Sequence, residues 1–192
     1  MPSATGLTGA TGEYYVAAEL SRRGWLATVT IKNSPGSDVL AQTLDRRRIV
    51  AIQTKTASPG TAAFTLGLKD ERPGERDNEW YVFVALGDLS ERADFYVVPR
   101  HVVAALAYLE HKEWMADRGR LHSRSRSGVR NENDRRSMKP SWIAGYSERW
   151  DLLEHSAWTV PYLGEPIFLD LASDFGLPSG CRPIKPPGST RS

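Results

Sequence analysis

Apolar and polar positions along the chain change period several times, and each change marks an element. From Thr8 to Arg23, Val16, Ala17 and Leu20 recur at the spacing of a helix with one buried stripe. Gly24 stands where such a helix stops, and Thr8 or Thr11 offers a side-chain oxygen to cap its start. Trp25 to Ile31 is β-branched and aromatic and predicts a strand, followed by turn chemistry in Asn33-Ser34-Pro35-Gly36-Ser37. Asp38 to Gln42 predicts a second, short strand. A turn from Leu44 to Arg48 leads into a third, Ile49 to Lys55, whose first four residues are apolar, as in a central strand covered on both faces.

The pattern then loosens. Ala62 to Leu68 reads as a short strand or turn, and Lys69 to Asn78 as a charged loop. Trp80 to Leu86 and Phe95 to Val98 predict two more strands, and Pro99-Arg100 opens a helix through Val102, Val103, Leu106 and Leu109 that ends near Trp114. Periodicity is absent from Ala116 to Lys139, returns as helical spacing from Tyr146 to His155, and gives way after Phe175 to Pro, Gly and Ser. The expected fold is α/β, a central mixed β-sheet flanked by helices. It fills a single domain over residues 1–175, with an Arg-rich loop at about 116–140 and a flexible tail over 176–192.

Composition narrows the class without naming it. The 192 residues are 40% hydrophobic and 25% charged, ordinary values for a globular domain. A net charge of +2 does not by itself advertise a polyanion partner, so a nucleic-acid face must come from local clusters. Two clusters qualify. Arg46, Arg47 and Arg48 occupy the turn between the second and third strands, closest to any substrate held there, and Arg124, Arg126 and Arg130 stand in the Arg-rich loop. The competing reading of that loop is a solvated segment whose acids, Asp117, Glu132 and Asp134, offset its charge. The single cysteine, Cys181, excludes an internal disulfide and a Cys-rich metal site. The four histidines lack metal-ligand spacing, and His111 is expected on the surface. No apolar run approaches ~20 residues, and Met1 to Gly6 lacks a secretory layout, so a cytoplasmic protein without a membrane partner is expected.

Against this background three short pieces carry chemistry. Gln53 and Lys55 are two apart in a strand and share a face, while Asp38 begins the neighbouring strand within hairpin reach. A hard cation such as Mg²⁺ takes oxygen ligands, here the Asp38 carboxylate, the Gln53 side-chain oxygen and the Thr54 carbonyl. Lys55 would orient and help deprotonate the attacking water. Each residue also has a plainer reading. Glu13 suits a helix dipole in the first turn, Asp38 a turn, Lys55 a solvated strand end, and Gln53 a polar edge position.

The order of these residues resembles the PD-(D/E)XK nuclease superfamily, in which a helix bearing a Glu precedes a hairpin bearing an Asp and a Glu-x-Lys. Glu13, Asp38 and Gln53-x-Lys55 match that order over roughly residues 8 to 110, in the Gln-x-Lys variant. The resemblance implies a restriction-endonuclease-like core and a Mg²⁺- or Mn²⁺-dependent enzyme hydrolysing DNA phosphodiesters, of restriction, repair or junction-processing type. Glu13 would then be an acid behind the metal ligands. A homodimer placing two sites across a duplex also fits the family. The neutral Gln53 withdraws one negative charge from the metal site. The alternative is therefore a catalytically inactive nuclease-fold module that binds nucleic acid or a protein partner.

Overall fold

The computed structural model describes residues 4–31, 36–116, 136–186 and 188. Arg124, Arg126 and Arg130 lie outside the described residues, as do residues 32–35. Helix α1 spans Ala4–Arg22, and strands β1 (Trp25–Val29), β2 (Val39–Thr43) and β3 (Ile49–Ala57) follow as an antiparallel meander. β4 (Phe64–Leu66), β5 (Glu79–Ala85), β6 (Asp94–Pro99), helix α2 (Arg100–Ala116), β7 (Arg136–Met138) and helix α3 (Ile167–Phe175) complete the order. The main sheet runs β1-β2-β3-β5-β6, with β3 and β5 parallel and the other pairs antiparallel, and β4 pairs with β7 alone. This is the mixed α/β sheet the alternation of the sequence predicts, with the apolar third strand at its centre.

Register decides which side chains share a face. Asp38 precedes β2 on the side of Leu40, and the pairs Leu40–Ala51, Gln53–Tyr81 and Lys55–Phe83 place all these side chains on one face. Thr54 and Thr56 point to the other. Helix α1 lies on that second face, pressed so close to β3 that a Cβ at Gly12 would stand 1.9 Å from Thr56 Oγ1. On the first face β4 and the start of α2 cover the β5–β6 half. Phe64 packs on Phe83 with ring centroids 4.9 Å apart, and the Arg100 guanidinium lies over the Tyr81 ring. The β1–β2 half of this face stays open, with Leu26, Leu40 and Ile49 exposed.

Several expectations are corrected. α1 begins at Ala4, so Thr8 and Thr11 lie inside it and Thr11 Oγ1 donates to Leu7 O rather than capping. Glu13 is therefore in the third turn, beyond the reach of the N-terminal dipole. The Tyr146–His155 segment is not one helix. Two 3₁₀ turns, Pro140–Tyr146 and Trp150–Glu154, flank a reversal at Glu148, whose φ is 56° and whose N–H donates to Phe95 O. His111 is buried, as is His101, because α2 is enclosed by the sheet, β7 and α3. Arg136, from the Arg-rich stretch, is buried in β7 with Nε 2.5 Å from Glu71 Oε1. Residues 176–186, expected within a flexible tail, lie against the body: Ile184 is buried, and Lys185 O accepts from Tyr162 N at 2.7 Å.

Candidate functional site

The backbone of Asp38 is fixed on both sides before its side chain acts. Its N–H donates to Ile52 O and its C=O accepts from Thr30 N, each at 2.8 Å. Held there, the carboxylate points across to β3. Asp38 Oδ2 accepts from Thr54 N at 2.7 Å and from Gln53 Nε2 in a closer contact. Within a strand the N–H and C=O of one residue face the same neighbour, so the Thr54 carbonyl also faces the Asp38 edge. Three oxygen-bearing groups thus meet at the open end of the β2–β3 pair: one carboxylate, one side-chain amide and one backbone carbonyl.

Lys55 is the next side chain on that face, and it is not a solvated strand end. Its side chain is only 17% exposed, and its Nζ lies 3.0 Å from Asp70 Oδ2. Asp70 is 1% exposed and is reached by three donors. Besides Lys55, Gly67 N donates to Oδ2 at 2.8 Å, and Tyr81 Oη donates to Oδ1 at 2.7 Å. Burial acts to raise the Asp70 pKa, but the Lys55 charge and the hydrogen bonds from Tyr81, Gly67 and Lys55 outweigh it, and the net shift is downward. The same arrangement pushes the Tyr81 hydroxyl upward, first by burial and then by the Asp70 charge, with Asp38 a lesser contributor. Asp70 thus stays a carboxylate, and Tyr81 stays a donor to it.

Asp70 is the residue that sequence reasoning missed. It sits in a 3₁₀ turn, Leu68–Glu71, directly after β4, inside the stretch read as a charged loop. A signal was present, because a lysine carried by a central strand that offers it no acid needs a buried acid from elsewhere, and Gly67 offers a tight entry to the turn that supplies it.

Glu13 and the arginine turn are placed elsewhere. Glu13, half-buried, follows Gly12 on α1, the helix lying on the Thr56 face, so it is not among the side chains that share a face with Asp38, Gln53 and Lys55. The turn carrying Arg46, Arg47 and Arg48 is at the opposite end of β3. From Ile49 to Gln53 and Lys55 the strand covers about 13 to 20 Å at ~3.3 Å per residue. Those arginines are not beside Asp38, because a hairpin turn lies at the far end of its strands.

Among the described residues, no three His, Cys, Asp or Glu side chains cluster closely enough to hold a metal ion. A cation at Asp38 would therefore draw on neutral oxygens for most of its ligands. The Gln53 amide fits this. It presents its nitrogen to the carboxylate, and a half-turn about its last bond puts Oε1 in the same place. Also among the described residues, no helix is long and apolar enough to cross a membrane.

The chain is similar in structure to two solved proteins. One is the bacterial homing endonuclease I-Ssp6803I, at 17% identity and a TM-score of 0.40, covering 54% of this chain and 74% of that one. The other is Hjc, a Holliday junction resolvase from Archaeoglobus fulgidus, at 14% identity and a TM-score of 0.43, covering 76% of this chain and 95% of that one. The likeness is one of fold, and no residue role is carried across from either. No protein-family model and no curated protein sequence matches the chain.

Proposed function

We propose that this protein is a divalent-metal-dependent nuclease hydrolysing phosphodiester bonds of DNA, with its site at the open end of the β2–β3 pair. One observation carries the reading: the Asp38 carboxylate meets the Gln53 amide and the Thr54 backbone on the same face as a lysine anchored by Asp70. Asp38, the turned Gln53 Oε1 and the Thr54 carbonyl would hold Mg²⁺ or Mn²⁺, hard cations that accept such oxygen donors. When bound, the metal would polarise the phosphoryl oxygen and lower the pKa of a water at neutral pH.

The rest is the work of the chain's own groups. Asp38 supplies the one full negative charge. Lys55 offers ammonium hydrogens to the attacking water or to a phosphoryl oxygen, and Asp70 fixes where that ammonium stands. This assigns Lys55 to orienting and charge stabilisation, because its ammonium is held in an ion pair with a buried carboxylate. Glu13 is assigned no direct contact with the metal or the substrate. The open β1–β2 half of the face leaves the carboxylate accessible to a duplex or a branched substrate.

The test uses supercoiled plasmid and branched DNA, with Mg²⁺ or Mn²⁺ and then with chelator, against Lys55→Ala. Nicking that is lost both with chelator and in the variant supports the enzyme. Binding without nicking in either metal supports the second reading, a module that keeps the fold without the chemistry. The neutral Gln53 and the lack of a three-acid cluster among the described residues favour that alternative.

A further inference from the structure

At the far end of β3 the arginine turn borders an open groove of about 530 Å³. Its lining carries four arginines, Arg46, Arg47, Arg48 and Arg76, against two acids, Glu75 and Asp77. The four do different work. Arg48 is committed to structure: Nε donates to Leu153 O at 3.0 Å, and its other nitrogens reach His155 O and Asp77. Arg47 leans on Asp45, with Nε 3.6 Å from Oδ2. Arg46 and Arg76 are exposed, and neither guanidinium has a hydrogen-bond or ion-pair partner among the described residues.

Two further observations mark the groove as more than a solvated turn. Arg46 sits at φ 61°, a left-handed position where glycine would be free of strain, so an unpaired guanidinium is held there at a cost of ~1 kcal/mol. Trp158 lines the same groove with the Arg182 guanidinium over its ring at 3.9 Å, which adds a further cation at the rim. Cations beside an aromatic surface, in an open groove, suit an extended polyanion better than a small enclosed ligand. Ile49, also in the lining, shares its face with Gln53 and Lys55, so groove and site lie along one surface. Their separation, about 13 to 20 Å along β3, spans half a turn of B-form duplex, whose full turn is about 34 Å.

We propose that this groove is a second, metal-independent docking point for the sugar–phosphate backbone of duplex DNA, holding it about half a helical turn from the phosphate presented at Asp38. The spacing in that statement rests on the nuclease reading; the groove itself does not. Arg46 and Arg76 neutralise backbone phosphates and release their counterions, so binding falls as salt rises.

The experiment is fluorescence anisotropy of a labelled duplex of 20 base pairs with the full chain in chelator, across a range of salt. The variant is Arg46→Gly with Arg76→Ala. Glycine relieves the left-handed strain, and Arg76 has no partner to lose, so neither change threatens folding. The expected result is weaker binding and a log–log salt slope shallower by about 2, at ~0.9 for each phosphate contact. Unchanged affinity and slope would overturn the proposal. So would displacement of the duplex by inorganic tripolyphosphate at equal phosphate concentration, which assigns the groove to a small anion. Because this binding is measured without metal, a protein that binds in this way yet does not nick DNA once Mg²⁺ or Mn²⁺ is supplied refutes the nuclease reading and leaves the groove standing.

Discussion

Replacing Asp70 by Asn tests the buried ion pair with almost no change of volume. The carboxylate accepts from Lys55, Gly67 and Tyr81, all donors. An amide turns its NH₂ on at least one of them. The Tyr81 hydroxyl can rotate to accept that hydrogen; the ammonium of Lys55 cannot. Removing one partner of a buried ion pair typically costs about 3–5 kcal/mol, because the other charge is left unpaired. Lys55 keeps a narrow opening to solvent, at 17% side-chain exposure, which argues for the low end, about 3 kcal/mol. With a urea m-value of about 2–3 kcal/mol/M, the midpoint should fall by roughly 1 to 1.5 M at neutral pH, with m unchanged.

The pH dependence has a fixed sign. Asp70 is a carboxylate whose folded pKa lies below its ordinary 3.8, so its contribution is complete above that value and is lost as pH falls through the folded value. The gap between wild type and Asp70→Asn should therefore be widest near neutrality and close in acid. A variant within about 0.5 kcal/mol of wild type at pH 7, or a gap that widens in acid, would show that the pair contributes nothing. On the proposed chemistry, the freed Lys55 ammonium should also cost on the order of 10²-fold in nicking rate and weaken Mn²⁺ binding, because it is no longer held away from Asp38.

Two further expectations concern charge. Gln53→Glu places a second carboxylate against Asp38, and Mn²⁺ binding measured by calorimetry should tighten by roughly tenfold; unchanged affinity would remove Gln53 from the ligand set. His101 is buried with Nδ1 unpartnered, and burial, helped by the Arg182 charge, lowers its pKa to about 4. The unfolded chain binds that proton near 6.5, so stability should fall by up to about 3 kcal/mol as pH drops from 6.5 to 4, and His101→Gln should flatten that part of the urea-midpoint profile.

What was legible in the sequence follows from periods. Alternation at 2.0 and 3.6 located α1, α2 and the five strands of the sheet, and the apolar start of β3 marked it as central. The meeting of Asp38 with Gln53 was legible too, because same-face geometry and hairpin register are local. Longer-range facts were not. Asp70 reaches Lys55 only because the turn after β4 curls beneath the sheet, a tertiary event that a charged segment does not announce. His101 and His111 look solvated if one polar face per helix is expected, yet α2 is wedged among the sheet, β7 and α3 and buries most of its circumference. The arginine turn adjoins both strands in sequence, yet a hairpin puts it at the end of β3 away from Asp38, so adjacency in sequence is not adjacency in space.

The acid absent from position 53 bears on the one present at position 70. With a glutamate at 53, Lys55 would have a carboxylate two residues away on its own strand, able to share its charge with a cation. Gln53 provides no such charge, and a lysine 17% exposed needs a partner that the strand does not supply. Asp70 meets that need from the covered side of the face, where Tyr81 and Gly67 complete its hydrogen bonds. Lys55 is thereby neutralised from behind, and Asp38 is left as a carboxylate that no lysine or arginine closes off in an ion pair among the described residues. A single uncompensated carboxylate at the open end of two strands attracts a divalent cation in a way that a carboxylate paired with Lys55 would not. Asp70 thus supports the site by drawing the lysine's charge away from Asp38, although it touches neither the metal ligands nor the substrate.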